Sequence, residues 1–402
     1  MSTAISERAA EEESASRSDE PKDTAQGLAI HELIRGAPPT TEEIDSFLER
    51  HQVPLVEGTS VTFLYRGQVD EVRLQHFIYG LETSQPFDRV ADTDLRYLVL
   101  DLPPQSVLQY KLNVRNGNEG RWVLDPLNPE RAFDPFGANS VCRTGVQTPD
   151  WTRPDPEARP GDVLNLQLFS RAMGESRNLL LYLPARFRRN RRYPLLVVHD
   201  GNDYLKYSNL KTVLDNLIHR QEVAPLIVAL TQSPDRLAEY PDNENHVRFL
   251  TDEVVPLVER DYPIRREPRA RGLMGASFGA VASLSCAWRR PGVWGKLLLQ
   301  SGSFAFTDIG PNRRGPAFDP VVEFVNAFRR NPGRPSEQIF LSCGTYESLI
   351  YENRSMVPLL QSTGMDVRYT EARDGHNWIN WRDRLRQGLS WLFPGPLWMV
   401  YE

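Results

Sequence analysis

The chain of 402 residues carries 47 basic and 53 acidic side chains, a net charge of -6, and 40% hydrophobic residues. Its length and apolar content suffice for two or three cored domains, and the lack of a basic excess excludes nucleic acid as the main partner. No segment reaches the roughly 18 apolar residues of a membrane span, and the polar N-terminus lacks a signal peptide's apolar run. A cytoplasmic protein with a disordered tail over residues 1–27 is therefore expected.

After the tail, Leu28 to Arg35 and Thr41 to His51 carry helix signals. The second has Thr40 or Thr41 as its cap, Glu42 and Glu43 in its first turn, and Ile44, Phe47 and Leu48 along one face. The apolar period then changes to alternation. Val61, Phe63 and Tyr65 mark one strand, Val72, Leu74, His76 and Ile78 a second, Leu95, Tyr97 and Val99 a third, and Val107 to Val114 a fourth. A hairpin turn at Asn116 to Gly120 leads into Arg121 to Leu124. Over residues 28–147 this predicts a small all-β sandwich.

From Thr148 to Gly161 the chain reads TPDWTRPDPEARPG, a proline-rich stretch that marks a stiff linker and a domain boundary. Over 162–402 short apolar runs alternate with helical periodicity. The strands are Val163 to Phe169, Asn178 to Leu183, Leu195 to Val198, Leu226 to Leu230, Leu297 to Gln300, Ile339 to Ser342 and Val367 to Tyr369. Helices are expected at Val213 to Ile218, Phe249 to Val258, Val321 to Phe328, Met356 to Leu360 and Arg382 to Leu392. The pattern predicts an α/β fold, a mostly parallel sheet covered on both faces. Cys142, Cys286 and Cys343 lie far apart without CxxC spacing, which fits a reducing compartment.

Arg271 to Ala280 reads RGLMGASFGA, in which Gly275, Ser277 and Gly279 form the GxSxG of a nucleophile elbow between a strand and a small-residue helix. In an α/β-hydrolase the acid and then the histidine follow the serine in the chain. His376, in the loop ARDGHNW, is the only histidine after Ser277. Glu347 lies a few residues past the preceding strand. Its rivals are Glu352, expected inside the next helix, Asp366, which precedes a strand, and Asp374, too close to His376. The oxyanion needs two backbone N–H groups: that of Phe278, and that of Gly201 or Asn202 in the loop HDGND, where Gly201 lets the backbone approach closely. His199, at a strand end, is a candidate substrate contact. The set calls for no cofactor and no metal.

Over roughly residues 160–395 these residues resemble the enterochelin esterase and feruloyl esterase-like group of α/β-hydrolases. The marks are the DG of HDGND, Arg236 and Glu239 in RLAEYPDNENHVRFL, GASFGA, QSGSF at 300–304, GTYESLI and GHNWINW. The sandwich, with YKLNV at 110–114, RWVLDPLNP at 121–129 and FGANSV at 136–141, resembles the immunoglobulin-like N-terminal domain of cytoplasmic enterochelin esterases and related glycogen-binding modules.

The resemblance implies a serine esterase with an immunoglobulin-like N-terminal β-sandwich and with Ser277, His376 and Glu347 in the family's catalytic roles. Its substrate would be a small-molecule ester, either a ferric catecholate siderophore cleaved in the cytoplasm to free iron, or a feruloyl or acetyl sugar ester. A non-catalytic binding protein on the same scaffold would be expected to have lost Ser277 or His376, and both are present. Relatives often carry GGHD where this chain has DGHN, so substrate contacts there are expected to differ. Arg236, Arg313, Arg314, Arg354 and Arg373 are candidate cations for an anionic substrate, one or two of them expected in the pocket, with Trp378 and Trp381 as stacking surfaces. In sugar-binding modules an exposed Trp stacks on the sugar while Lys and Asn hold its hydroxyls, which would single out Trp122, Lys111 and Asn139. A sandwich more often needs a large buried aromatic, so Trp122 is expected in the core and Asn139 in a turn.

Overall fold

The computed structural model describes residues 27–307 and 315–396; the expected tail, Arg313 and Arg314 lie outside them. Two short helices come first, Ala29–Leu33 and Thr41–Arg50. Thr40 caps the second, its hydroxyl accepting from Glu43 N while the Glu43 carboxylate accepts from Thr40 N. Ten strands follow: β1 (Leu55–Glu57), β2 (Ser60–Arg66), β3 (Glu71–His76), β4 (Ser84–Pro86), β5 (Asp88–Arg89), β6 (Leu95–Asp101), β7 (Val107–Asn116), β8 (Glu119–Val123), β9 (Arg131–Asp134) and β10 (Gly137–Arg143). One sheet has the order β1-β2-β6-β5, the other β4-β3-β7-β10-β9, with β8 paired to β7.

Alternation along β2 explains how the two sheets are held. Val61, Phe63 and Tyr65 share one core cluster with Val72 and Leu74 of β3 and with Tyr110, Leu112 and Val114 of β7. Leu64 points the other way and packs with Ile30, Ile44 and Phe47 of the two helices. A strand covered on both faces reads as a continuous apolar run, as VTFLY does here.

The proline-rich segment is packed rather than free. Asp150–Thr152 forms a short 3₁₀ turn that buries Trp151, and Asn216 Nδ2 donates to the carbonyls of Trp151 at 2.8 Å and Arg153 at 2.7 Å.

The remaining strands are β11 (Asp162–Ser170), β12 (Glu175–Leu183), β13 (Leu195–Val198), β14 (Ile227–Thr231), β15 (Arg271–Ala276), β16 (Lys296–Gln300), β17 (Gln338–Gly344) and β18 (Asp366–Ala372). They form one mixed sheet of order β11-β12-β14-β13-β15-β16-β17-β18. The pairs β11/β12 and β12/β14 are antiparallel, and from β14 to β18 every neighbouring pair is parallel. Leu195 and Val197 enter one core cluster and Leu196 and Val198 another, so β13 is buried on both sides. The helices Phe278–Arg289, Asp319–Arg330 and Ile350–Ser362 contribute to the first cluster, Leu210–His219 and Trp378–Leu392 to the second. Because the chain places β13 between β14 and β15, the carboxyl ends of β13 and β15 lie side by side, with Val198 opposite Met274. That crevice is where an open α/β sheet collects its ligand. None of the described helices is long and apolar enough to cross a membrane.

Candidate active site

At the end of β15 the backbone turns sharply into the helix Phe278–Arg289. Ser277 sits in the turn at φ 57 and ψ -120, a strained conformation for a residue with a Cβ. The turn can close because Gly275 has no side chain: a Cβ there would stand 2.3 Å from the carbonyl carbon and oxygen of Gly279. Ser277 N donates to Gln300 O at 2.9 Å, tying the elbow to β16. Its hydroxyl is partly exposed and pairs with Ser303 Oγ at 3.1 Å.

The loops after β17 and β18 carry a carboxylate and an imidazole. Glu347, three residues after β17, is almost wholly buried. Its Oε2 accepts from His376 Nδ1 at 2.7 Å, and its Oε1 accepts from Ser301 Oγ at 2.6 Å, Gly344 N at 2.7 Å and Asn380 Nδ2 at 3.3 Å. This set fixes the carboxylate in place and leaves His376 Nε2 without a hydrogen bond among the described residues. No hydrogen bond joins Ser277 Oγ to His376 here.

Phe278 opens its helix, where the first N–H groups lack intrahelical partners, and its N–H has no acceptor among the described residues. On the neighbouring loop Asp200 adopts the left-handed conformation, φ 54 and ψ 40, and the helix Gly201–Tyr207 begins. A Cβ at Gly201 would stand 2.4 Å from Leu230 Cβ, so only glycine fits against β14. The two oxyanion candidates differ: Asn202 N already donates to Gln232 Oε1 at 3.2 Å, whereas Gly201 N has no acceptor among the described residues.

Several expected substrate contacts are corrected by burial. His199 is fully buried, with Nδ1 3.2 Å from Met274 O and 3.1 Å from Ser283 Oγ, and Nε2 3.0 Å from His246 Nε2. Burial pushes its imidazole down to about 4, so it is a neutral interior group with no surface to offer a substrate. His199, His246 and Cys286 bring nitrogen and sulfur atoms within 4.8 Å of one another. The two nitrogens stand at hydrogen-bond distance, closer than the roughly 3.3 Å separating two ligands on a tetrahedral ion with 2.0 Å bonds. Burial also raises the Cys286 thiol, disfavouring the thiolate a metal would need.

Trp378 and Trp381 are likewise buried in the second core cluster and present no stacking face. Trp381 acts from behind: its Nε1 donates to Ser301 Oγ at 2.9 Å, and its ring meets the His376 ring edge-on at 5.1 Å between centroids. The arginines are mostly engaged. Arg236 Nε donates to the buried Asp200 carboxylate at 2.8 Å, with the Arg236 side chain 38% exposed. Glu239 pairs instead with Arg177. Arg354 holds Glu371 with two bonds of 2.7 Å, and Arg373 Nη1 donates to Pro104 O at 2.8 Å.

Ser301 and Asn380 were not legible as site residues, since their roles depend on contacts with Glu347 from the residue just past β16 and from the last helix. Asp374, a rejected rival for the acid, is fully buried, and burial pushes its carboxyl up to about 7 against the hydrogen bonds it accepts from Asn377 and Gly375. A folded pKa above the unfolded value of about 3.9 means that its contribution to stability is present at low pH and lost as pH rises through about 7. Asp374→Asn keeps an acceptor for both donors and removes the charge. Its melting temperature relative to wild type should rise between pH 5 and pH 8, and a constant difference would show that Asp374 is ionised throughout.

Beside the acid and base lies a cavity of about 760 Å³. Its lining includes Glu347 and His376 together with Lys111, Trp122 and Asn139 from the N-terminal strands, while Ser277 is not part of it. Trp122 is 55% exposed, which overturns its expected place in the core. Asn139 lies in β10 rather than in a turn.

The sequence profile described as Putative esterase matches residues 170–392, more than half of the chain. The chain is 24% identical to an iron(III) enterobactin esterase of Escherichia coli O6:H1, over 66% of this chain and 66% of that protein. It is 22% identical to an endo-1,4-beta-xylanase/feruloyl esterase of Xylanibacter ruminicola, over 63% of this chain and 35% of the relative. Among solved structures, the enterobactin esterase from Shigella flexneri in the presence of enterobactin superposes with a TM-score of 0.70 at 20% identity, covering 87% of this chain and 97% of the other. The chain therefore belongs to the Esterase family, an esterase whose fold resembles that of the enterobactin esterases.

Proposed function

We propose that the chain is a serine esterase working through Ser277, His376 and Glu347. The observation that carries this is the 2.7 Å bond from His376 Nδ1 to Glu347, two strand ends away from a strained serine at a nucleophile elbow. With Nδ1–H donating to Glu347, the neutral ring keeps Nε2 as the base. Ser277 Oγ attacks the ester carbonyl as its proton passes to Nε2. The oxyanion is held by the N–H groups of Phe278 and Gly201. His376 returns the proton to the leaving alcohol, and water, activated in the same way, releases the acid from the acyl-serine. Ser277 Oγ swings from Ser303 to His376 when substrate binds, as catalytic hydrogen bonds commonly tighten only in the complex.

For the substrate we infer a catecholate siderophore whose ester backbone is cut in the cytoplasm to free iron. Enterobactin esterases among the relatives and the structural neighbours support this reading. The exposed Trp122 and the feruloyl esterase relative favour a second, a feruloyl or acetyl sugar ester. The test is a competition between ferric enterobactin, feruloylated arabinoxylan oligosaccharides and acetylated xylan oligosaccharides. The siderophore reading expects kcat/KM for the catecholate triester to exceed both others by at least about tenfold. The reverse order would assign the enzyme to carbohydrate esters.

A further inference from the structure

The cavity beside His376 has one wall that the catalytic chemistry does not need. It comes from the outer face of the six-stranded N-terminal sheet and from the loop after β3. In the β7/β8 pair Trp122 lies opposite Asn113, and in the β3/β7 pair Gln75 lies opposite Lys111. Paired residues share a face and alternate residues return to it, so Trp122 and Lys111 stand on the side away from the core residues Tyr110 and Leu112. Phe77, Tyr79 and Phe136 line the same cavity. Their exposures of 71%, 40% and 95%, with 55% for Trp122, make this an aromatic patch left open to solvent. Soluble proteins rarely leave such patches uncovered unless they bind something.

The wall is held in register with the acid and the base through main-chain bonds. Tyr79 N donates to the carbonyl of Tyr346, next to Glu347, at 2.9 Å, and Val107 N donates to the carbonyl of Arg373, three residues before His376, at 2.8 Å. The cavity's volume of about 760 Å³ lies in the range of small-molecule sites, roughly 300–1,000 Å³. Lys111, among these rings, makes no ion pair or hydrogen bond with any described residue. An unpaired ammonium within an aromatic wall suits a planar ring that bears electron-rich oxygens: ring face on ring face, oxygens on the cation.

We propose that this face of the N-terminal sheet is a substrate subsite for an oxygen-substituted aromatic ring of the ester, stacked on Trp122 and Phe136 with its ring oxygens toward Lys111. Because Ser277 is outside the lining, the subsite takes the part of the substrate remote from the scissile carbonyl. The proposal rests on the esterase reading for its purpose, since His376 is what makes the cavity part of the site. Such a ring occurs as a catechol in catecholate esters and as a methoxyphenol in feruloyl esters, and the two sources are separable by experiment.

The probes are 2,3-dihydroxybenzoyl-serine and ferulic acid, titrated calorimetrically into wild type, Trp122→Ala and Phe136→Ala, with p-nitrophenyl acetate hydrolysis measured in parallel. Both side chains are exposed, so neither substitution removes core packing. At least one probe should bind wild type and lose about tenfold in affinity in each variant. Preferential loss of the dihydroxybenzoyl probe identifies a catechol subsite, and preferential loss of ferulate a feruloyl subsite. Equal affinities in all three proteins would overturn the proposal. So would failure of both probes to bind while maltohexaose binding is lost in Trp122→Ala. Failure of wild type to cleave the acetate would count against the esterase reading alone, because the titrations read the wall independently.

Discussion

Replacing Ser277 with alanine should lower ester hydrolysis by about 10⁴-fold or more, in line with the roughly 10⁶-fold loss when a triad serine is removed from a serine protease. The change deletes one oxygen atom and its 3.1 Å bond to Ser303. Alanine at φ 57 is as strained as serine, so the fold should persist with a melting temperature within a few degrees of wild type. Active-site labelling by a fluorophosphonate should be confined to Ser277 and vanish in the variant. Ser303 is the informative control, because its hydroxyl is the nearest partner of Ser277 and is itself buried. Labelling that moved to Ser303, or turnover that survived, would place the nucleophile elsewhere.

Glu347→Gln should cost about 10⁴ in kcat, by analogy with the loss when a triad aspartate becomes its amide. Three neutral donors, from Ser301, Gly344 and Asn380, point at Oε1. They would keep the oxygen of the new amide on that side and turn its NH₂ toward His376 Nδ1. The ring would then have to accept at Nδ1 and carry its proton on Nε2, the wrong tautomer for taking a proton from Ser277. Substrate affinity should change little. A near wild-type rate would mean that the serine works with histidine alone or with another carboxylate, and Asp374→Asn tests the one two residues before His376. Asp374 accepts from Gly375 N and Asn377 Nδ2 and makes no hydrogen bond to His376 among the described residues, so that change should have a far smaller effect on kcat.

Features that depend on neighbours in the chain could be read before any fold was known. The glycines at 275 and 279 and the small-residue helix behind them announce the elbow, because a turn that tight forbids a Cβ at Gly275. The LLVV run reads as a strand buried on both sides, and it is. Glu347 and His376 could be found because chain order and strand ends suffice to narrow the search, and the tertiary structure joins them. The leading hairpin was legible as β11 and β12, but β12 alone runs antiparallel to both of its neighbours, β11 and β14, giving a mixed sheet.

Which face each residue shows, and what covers it, depends instead on packing between elements distant in the chain. His199 and Trp381 follow or flank site loops, yet both lie inside, against His246 and Ser301. Arg236 had the charge to meet an anion, but the carboxylate of Asp200, from a loop 36 residues away, holds it at 2.8 Å. Trp122 shows the limit most directly. Nothing in the order Arg121, Trp122, Val123 says whether the indole faces the core or solvent. Pairing with Asn113 puts it on the outer face of the sheet, and since the second sheet covers only the inner face, the largest aromatic of that strand is left open beside His376.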